Sequence, residues 1–276
     1  MELLALLTER PYVVAFLASF LVIAWAERGW QRALLWLASG TFLGWLMEFS
    51  SVRTGFPFGS YTYNESNFPD ELFIGGVPLF ASLSFAFLTY FGYSLARTFL
   101  SPLERRGADV QRRPDARVDA SLQLLLLAAL ITTWVDTVID PVAHLGEYWF
   151  LGDLYAYDAN GVHFDVPLSN YAGWLFTSAV IVFVNQHFDA WLRSKSLPAR
   201  GFHLPFKPFW ALGSDLGNIA FMLGVTVYLL TSDGVPSSVP VEGVLASGLA
   251  LSGLFLVFAA VMVRRGLARE ALAPAY

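Results

Sequence analysis

Seven long apolar runs leave this chain few ways to fold. They cover residues 11–26, 33–49, 77–100, 121–140, 166–188, 209–231 and 241–263. At about 1.5 Å of rise per residue, most of them can cross roughly 30 Å of hydrocarbon as α-helix. Lipid offers no partner to a backbone amide, so each crossing segment must pair its own N–H and C=O groups. Pro11, Pro78 and Pro167 stand at starts of runs, where the missing N–H leaves no helix bond unmade. The expected class is all-α: one transmembrane helical domain over residues 1–276, with about seven spans. Composition agrees, since 56% of the residues are hydrophobic and only 14% charged, against about 25% charged in a soluble domain.

The basic residues give the expected orientation. All 17 except Arg10 and Arg53 fall at or after the ends of the first, third, fifth and seventh runs, the asymmetry of the positive-inside rule. This predicts an outside N-terminus and a cytoplasmic C-terminus. The connection 101–119 is then a solvated cytoplasmic linker, and the connections 50–76 and 141–165 face outward. The first ten residues carry Glu2 and Glu9 rather than a basic start, so the first run reads as a retained span and not as a signal peptide.

Several functions are excluded. There is no cysteine, which removes disulfides, thiolate nucleophiles and Cys-ligated zinc. The two lysines, Lys195 and Lys207, lie outside the spans, so a retinal Schiff base has no amine. His144, His163, His187 and His203 show no metal-binding spacing, and no phosphate or dinucleotide loop is present. No metal, cofactor or nucleic-acid partner is expected.

Ionisable groups within a membrane each need an explanation. Glu48 ends the second run. Asp136 and Asp140 end the fourth, and their i, i+4 spacing puts both on one helix face. Asn170 lies near the start of the fifth. These four should gather at one depth toward the outer leaflet, unless they pair with Arg53, loop backbone or interfacial water. Asp215 and Asn218, in the inner part of the sixth run, read as structural contacts between helices.

The chain also repeats. Glu48 is followed by Tyr61-Thr62-Tyr63 and then Val77-Pro78-Leu79; Asp140 is followed by Tyr155-Ala156-Tyr157 and then Val166-Pro167-Leu168. Both copies run in the same direction. Such a parallel repeat implies a pseudo-two-fold axis along the membrane normal, with Glu48 facing Asp140 or Asp136 across a cavity. Tyr61, Tyr63 and the other rings of the outer connections form either an interfacial belt or the mouth of a site for a long apolar ligand, where ring faces could stabilise a cation. Two other readings remain open. Asp136-x-x-x-Asp140 could hold magnesium diphosphate in a membrane prenyltransferase, and acids at one depth also suit a proton-coupled transporter of an apolar solute.

The segment Glu48-Phe49-Ser50-Ser51-Val52-Arg53-Thr54-Gly55-Phe56-Pro57-Phe58-Gly59-Ser60-Tyr61-Thr62-Tyr63 resembles the signature of the carotenoid biosynthesis membrane proteins that hydrate acyclic carotenoid ends. These are the CruF-type carotenoid 1,2-hydratases and the bisanhydrobacterioruberin hydratases. Gly76-Val77-Pro78-Leu79, Asp136-x-x-x-Asp140-Pro141 and Val166–Trp174 are similar to the same pattern, from the second span through the sixth. The resemblance implies a hydro-lyase of a prokaryotic plasma membrane that takes its carotenoid from the bilayer, alongside other enzymes of the pathway. It implies addition of water to a terminal trisubstituted double bond. A carboxylic acid kept neutral by apolar surroundings could give the proton, and a second could position water. Glu48, Asp136 and Asp140 are the candidate acid/base set. Asn170 would orient water, Tyr61, Tyr63 and Trp134 would line the cation pocket, and Arg53 would contact substrate.

Overall fold

The computed structural model describes residues 10–271; Glu2, Glu9 and both chain ends lie outside the described residues. Among the described residues seven helices are long and apolar enough to cross a membrane. They are α1 (Pro11–Arg28), α2 (Trp30–Thr54), α3 (Leu79–Leu100), α4 (Leu122–Ala143), α5 (Leu168–Ser194), α6 (Trp210–Leu230) and α7 (Val241–Ala271). Most outrun the apolar stretches expected from sequence, because helical bonding continues past the point where side chains turn polar.

The chain is not purely α. Three two-stranded antiparallel sheets occupy its connections: β1 (Tyr61–Tyr63) with β6 (Tyr155–Tyr157), β2 (Phe73–Ile74) with β3 (Val77–Pro78), and β4 (Leu103–Arg106) with β5 (Asp109–Arg112). The β1–β6 pairing joins the α2–α3 connection to the α4–α5 connection. Both long connections therefore lie on one face of the bundle, here termed the long-loop face.

Helices α2, α3, α4 and α5 pack in a closed ring, each against the next and α5 against α2. That order is what two copies of a helix pair, α2–α3 and α4–α5, make around a two-fold axis. The β1–β6 register agrees, with Tyr61 opposite Tyr157 and Thr62 opposite Ala156. Helix α3 is central: every residue from Phe85 to Phe99 is buried, and α1, α6 and α7 complete its coat. Close approach of α2 to α3 depends on glycine. A Cβ at Gly40 would come within 2.8 Å of the Ala86 backbone, and one at Gly44 within 2.6 Å of the Phe85 ring. This small-x-x-x-small contact lets two backbones approach closely in lipid. Gly29, the single residue between α1 and α2, has φ 86° and lies against the backbone of Arg200, a conformation and a space that suit only glycine.

The connection 101–119 corrects the expectation of a solvated loop. It folds as the β4–β5 hairpin and one helical turn (Ala116–Asp119) that close the face opposite the long loops. Two of its charged side chains enter an ion-pair network. Glu27, wholly buried, meets Arg112 at 3.0 Å and Arg97 at 3.5 Å, and accepts from Ser94 at 2.7 Å and Tyr90 at 3.0 Å. Asp119 holds Arg97 at 2.6 Å and Arg28 at 2.8 Å. Asp189 binds Arg28 at 2.7 Å, Arg32 at 2.5 Å and also Arg193. Several arginines that mark topology in the sequence are thus also the interior glue of this end of the bundle.

Truncating one partner of a buried ion cluster strands the others. Glu27→Ala should therefore lose about 3–5 kcal/mol of stability, read as thermal or denaturant unfolding in detergent. The end is also acid-sensitive. Burial opposes ionisation of Asp119, but Arg97 and Arg28 outweigh it and hold its carboxyl below the usual range. Asp109 is lowered to about 2, chiefly by the Phe206 N–H and by Gln111. Because folding depresses both values, their stabilisation is complete above the unfolded aspartate pKa of about 3.9 and is lost as pH falls below it. Unfolding temperature should be flat near neutrality and should drop as pH falls from about 4 toward 2.

Candidate active site

Strand geometry builds the roof of the site. In β1 and β6 alternate side chains point to opposite faces, so Thr62 and Ala156 are exposed while the four tyrosines turn into the bundle. Their rings form one edge-to-face cluster. Tyr61 lies 5.4 Å from Tyr63, 5.9 Å from Tyr155 and 5.7 Å from Tyr157, and Tyr155 lies 5.6 Å from Tyr157. Burial, reinforced by Glu48, holds the Tyr61 and Tyr63 hydroxyls well above the ordinary tyrosine range. Burial and then Asp140 do the same for Tyr155 and Tyr157. These phenols are hydrogen-bond donors at any pH a cell meets.

Three of them donate to the carboxyl groups below. Tyr63 Oη gives its proton to Glu48 Oε1 at 2.8 Å. Tyr155 Oη donates to Asp140 Oδ1 at 3.0 Å and Tyr157 Oη to Asp140 Oδ2 at 3.3 Å. Asn170 Nδ2 bridges the acid pair, donating to Asp140 Oδ2 at 2.6 Å and to Asp136 Oδ2 at 3.2 Å. Asp140 thus receives three donors and Asp136 one. Glu48 receives one, and its Oε2 is buried with no hydrogen-bond partner. The Tyr63–Glu48 and Tyr157–Asp140 bonds are the same contact made once by each repeat. The copies differ beyond that. One turn before Asp140 stands Asp136, whereas one turn before Glu48 stands Gly44. The second Val-Pro-Leu leads to Asn170, whereas the first leads to Ala81.

All three carboxyls line one cavity of about 150 Å³ under the tyrosine roof. Its other walls are mainly apolar and include Phe16 from α1, Phe85 from α3, Trp174 from α5 and Met222 from α6. Phe85 and Trp174 stack at 4.3 Å. Of the expected site residues, Glu48, Asp136, Asp140, Asn170, Tyr61 and Tyr63 meet here.

Two do not. Trp134 faces α7, donating Nε1 to Leu251 O at 3.2 Å and packing on Phe255 and Phe258. It lies two residues before Asp136, about 200° around the helix at 3.6 residues per turn, and so points away from the acids. Arg53 is exposed five residues beyond Glu48 on another face of α2, bonds Gly75 O at 3.2 Å and lies over the Phe49 ring. It pairs with none of the site acids, and it holds a turn of the long loop. The reading of Asn218 as a helix contact is also revised, because Asn218 lines the cavity. Asp215, one turn away on α6, is buried outside the cavity wall, with Oδ2 unpartnered.

Sequence reasoning overlooked Tyr155 and Tyr157 as direct partners of Asp140, although their period-two spacing matched Tyr61 and Tyr63. It gave no role to His163, whose ring nitrogens meet Tyr171 Oη at 2.6 Å and Ser247 Oγ at 3.1 Å, tying the long loop to α5 and α7. Among the described residues no group of three or more His, Asp or Glu side chains is placed to hold a metal ion.

Fold and site define a polytopic helical membrane protein with an acid-lined apolar chamber beneath one face. The family described as carotenoid biosynthesis protein matches residues 9–239, and the chain belongs to it. A bisanhydrobacterioruberin hydratase from Haloarcula japonica is 31% identical over 153 residues, a stretch covering 55% of this chain and 44% of that relative. This chain thus spans under half the length of the curated relative. No solved structure matches it.

Replacing both Tyr155 and Tyr157 with phenylalanine removes two of the three donors to Asp140 while keeping the ring cluster. Each net hydrogen bond contributes about 1 kcal/mol, so stability should change modestly. The change should read as a small drop in unfolding temperature in detergent, with helix content by circular dichroism unchanged.

Proposed function

We propose that this chain is a carotenoid hydratase, adding water across the terminal double bond of an acyclic carotenoid end to give a tertiary alcohol. One observation carries the reading: three carboxyl groups share a small apolar cavity but are supplied very differently with hydrogen-bond donors. Family membership and the hydratase relative support the same chemistry.

The supply of donors suggests the roles. Glu48 Oε2 has no partner, which suits a carboxyl whose proton is free to be given away. Asp140, with three donors, is furnished as a carboxylate. Glu48 protonates the less substituted alkene carbon, leaving a cation on the tertiary carbon. Rings of Tyr61, Trp174 and Phe85 face that charge with their π-clouds, and the Asp136–Asp140 pair supplies the compensating negative charge. Water positioned by Asn170 and the acid pair attacks the cation and yields a proton to the pair. Return of that proton to Glu48 closes the cycle, so the net change is one water added. The substrate is drawn from the bilayer, and neither a redox step nor a cofactor enters the balance.

The prenyltransferase alternative needs cations to hold a diphosphate beside Asp136 and Asp140. Of the two arginines on the long-loop face, Arg53 is turned outward and Arg10 is neutralised by Glu71 at 2.6 Å. The arginines of the ion-pair network lie at the other end of the bundle. We also place the long-loop face outside the cell, in keeping with the basic residues on the opposite face. Because the chain has no cysteine, Thr62→Cys and Arg106→Cys can be labelled singly in intact cells. Only the first should react with an impermeant maleimide.

Expression in cells that accumulate acyclic carotenoids should give a pigment one water heavier. Unchanged pigment with several acyclic substrates defeats the hydratase reading, and uptake without chemical change favours a transporter. Glu48→Gln and Asp140→Asn should each lower hydration about 10²- to 10⁴-fold, the usual contribution of a positioned acid or base, while membrane insertion is unaffected. Full activity in chelator argues against magnesium-dependent prenyl transfer.

A further inference from the structure

The chamber is too small for the substrate just assigned to it. A space of about 150 Å³ holds a molecule about the size of benzene, enough for the reacting end of a polyene and little more. The rest of the chain must lie elsewhere, and the end must have entered from lipid.

Lipid-side crevices indicate where. The crevice between α2 and α3, lined by Leu34, Trp45 and Leu83, shares no wall residue with the chamber. Two crevices along α6 do. Phe16 on α1 lines both the chamber and a crevice of about 490 Å³ bounded by Gly213, Ser214 and Gly217. Trp149 lines both the chamber and a crevice of about 690 Å³ bounded by Ala220, Phe221 and Gly224. Gly213, Gly217, Ala220 and Gly224 are exposed at spacings that put them on one helix face. A Cβ at Gly213 or Gly224 would meet nothing within 4 Å, and one at Gly217 only Phe16, at 3.9 Å. From Trp210 to Tyr228 this face rises about 27 Å at 1.5 Å per residue, close to the hydrocarbon thickness of a bilayer.

A plug of rings separates crevices and chamber. Tyr12 of α1 stacks on Phe221 of α6 at 5.4 Å and meets Phe150 edge-on at 5.9 Å, and Phe150 meets Trp149 at 4.9 Å. Tyr12 and Trp149 are themselves chamber walls. Further along the seam the Ser19 and Ser214 hydroxyls share a hydrogen bond at 2.7 Å, which must also part for the seam to open.

We propose that the seam between α1 and α6 is a lateral portal for the carotenoid. Tyr12 and Phe221 part to admit the reacting end to the chamber, and the remaining polyene lies along the Gly213–Gly224 face of α6. The proposal rests on the hydratase reading for its ligand. A row of small residues alone would equally seat a helix of a second copy. The shared walls at Phe16 and Trp149, and a chamber that holds only one end of the molecule, point to the polyene instead.

The test compares a full-length acyclic carotenoid with a short acyclic isoprenoid bearing the same terminal double bond. Gly217→Phe fills the crevice where its Cβ has room. It should lower hydration of the long substrate about tenfold or more and leave the short one within about twofold. Gly253→Phe, at an exposed α7 position where a Cβ also meets nothing within 4 Å, should match wild type on both. Equal activity of Gly217→Phe on both substrates, or equal loss on both, overturns the portal. So does a change in oligomeric state with hydration of the long substrate intact, which assigns the face to a second copy. If the wild-type protein hydrates neither substrate, the hydratase reading fails on its own. The portal is then judged by visible absorbance of polyene carried through purification from carotenoid-producing cells. Less pigment on Gly217→Phe than on wild type and Gly253→Phe upholds it, and equal pigment on all three, or none on wild type, overturns it.

Discussion

A carboxyl group inside a bilayer protein must find its hydrogen-bond donors within the chain, because lipid supplies none. Here the donors are phenols delivered by two three-residue strands. Tyr63 serves Glu48, and Tyr155 with Tyr157 serves Asp140. The strands can reach both acids only because they pair with each other. That pairing draws the two long connections over one end of the helical ring and roofs the chamber. Remove it, and the chamber loses its roof.

The two-fold relation of the halves explains why the site sits on an axis, and its imperfection explains why the site has direction. Each half contributes an acid and a tyrosine pair. Only the second contributes Asp136 and Asn170, where the first has Gly44 and Ala81. A chamber with matched acids would present the same groups from either half. A glutamic acid with one hydrogen-bond donor shares the chamber with an amide-bridged aspartate pair, so the two halves line it unequally.

The opposite end of the bundle is governed by a different arrangement. Glu27, Asp119 and Asp189 are interleaved with Arg28, Arg32, Arg97 and Arg112, which ties α1, α2, α3 and α5 to the β4–β5 hairpin and the helical turn that follows it. Each charge is costly to bury alone, so the cluster holds only as a set. One end is thus joined by ion pairs and the chamber end by aromatic contacts.

The sequence by itself determined the seven crossings, because run length and the backbone's need for internal bonding leave no other choice. It also determined the two repeats, and the depth of Glu48, Asp136, Asp140 and Asn170, since helix geometry converts spacing directly into depth and face. Tertiary structure alone decided which neighbours at that depth meet. Trp134 and Arg53 lie within a few residues of the acids yet point away, because rotation about a helix axis separates near neighbours in sequence. Tyr155 and Tyr157 lie fifteen or more residues from Asp140 and bond to it, because strand pairing between distant connections is not a local property. The ion cluster is likewise a product of packing, which brings Glu27, Asp119 and Asp189 from three separate segments onto shared arginines.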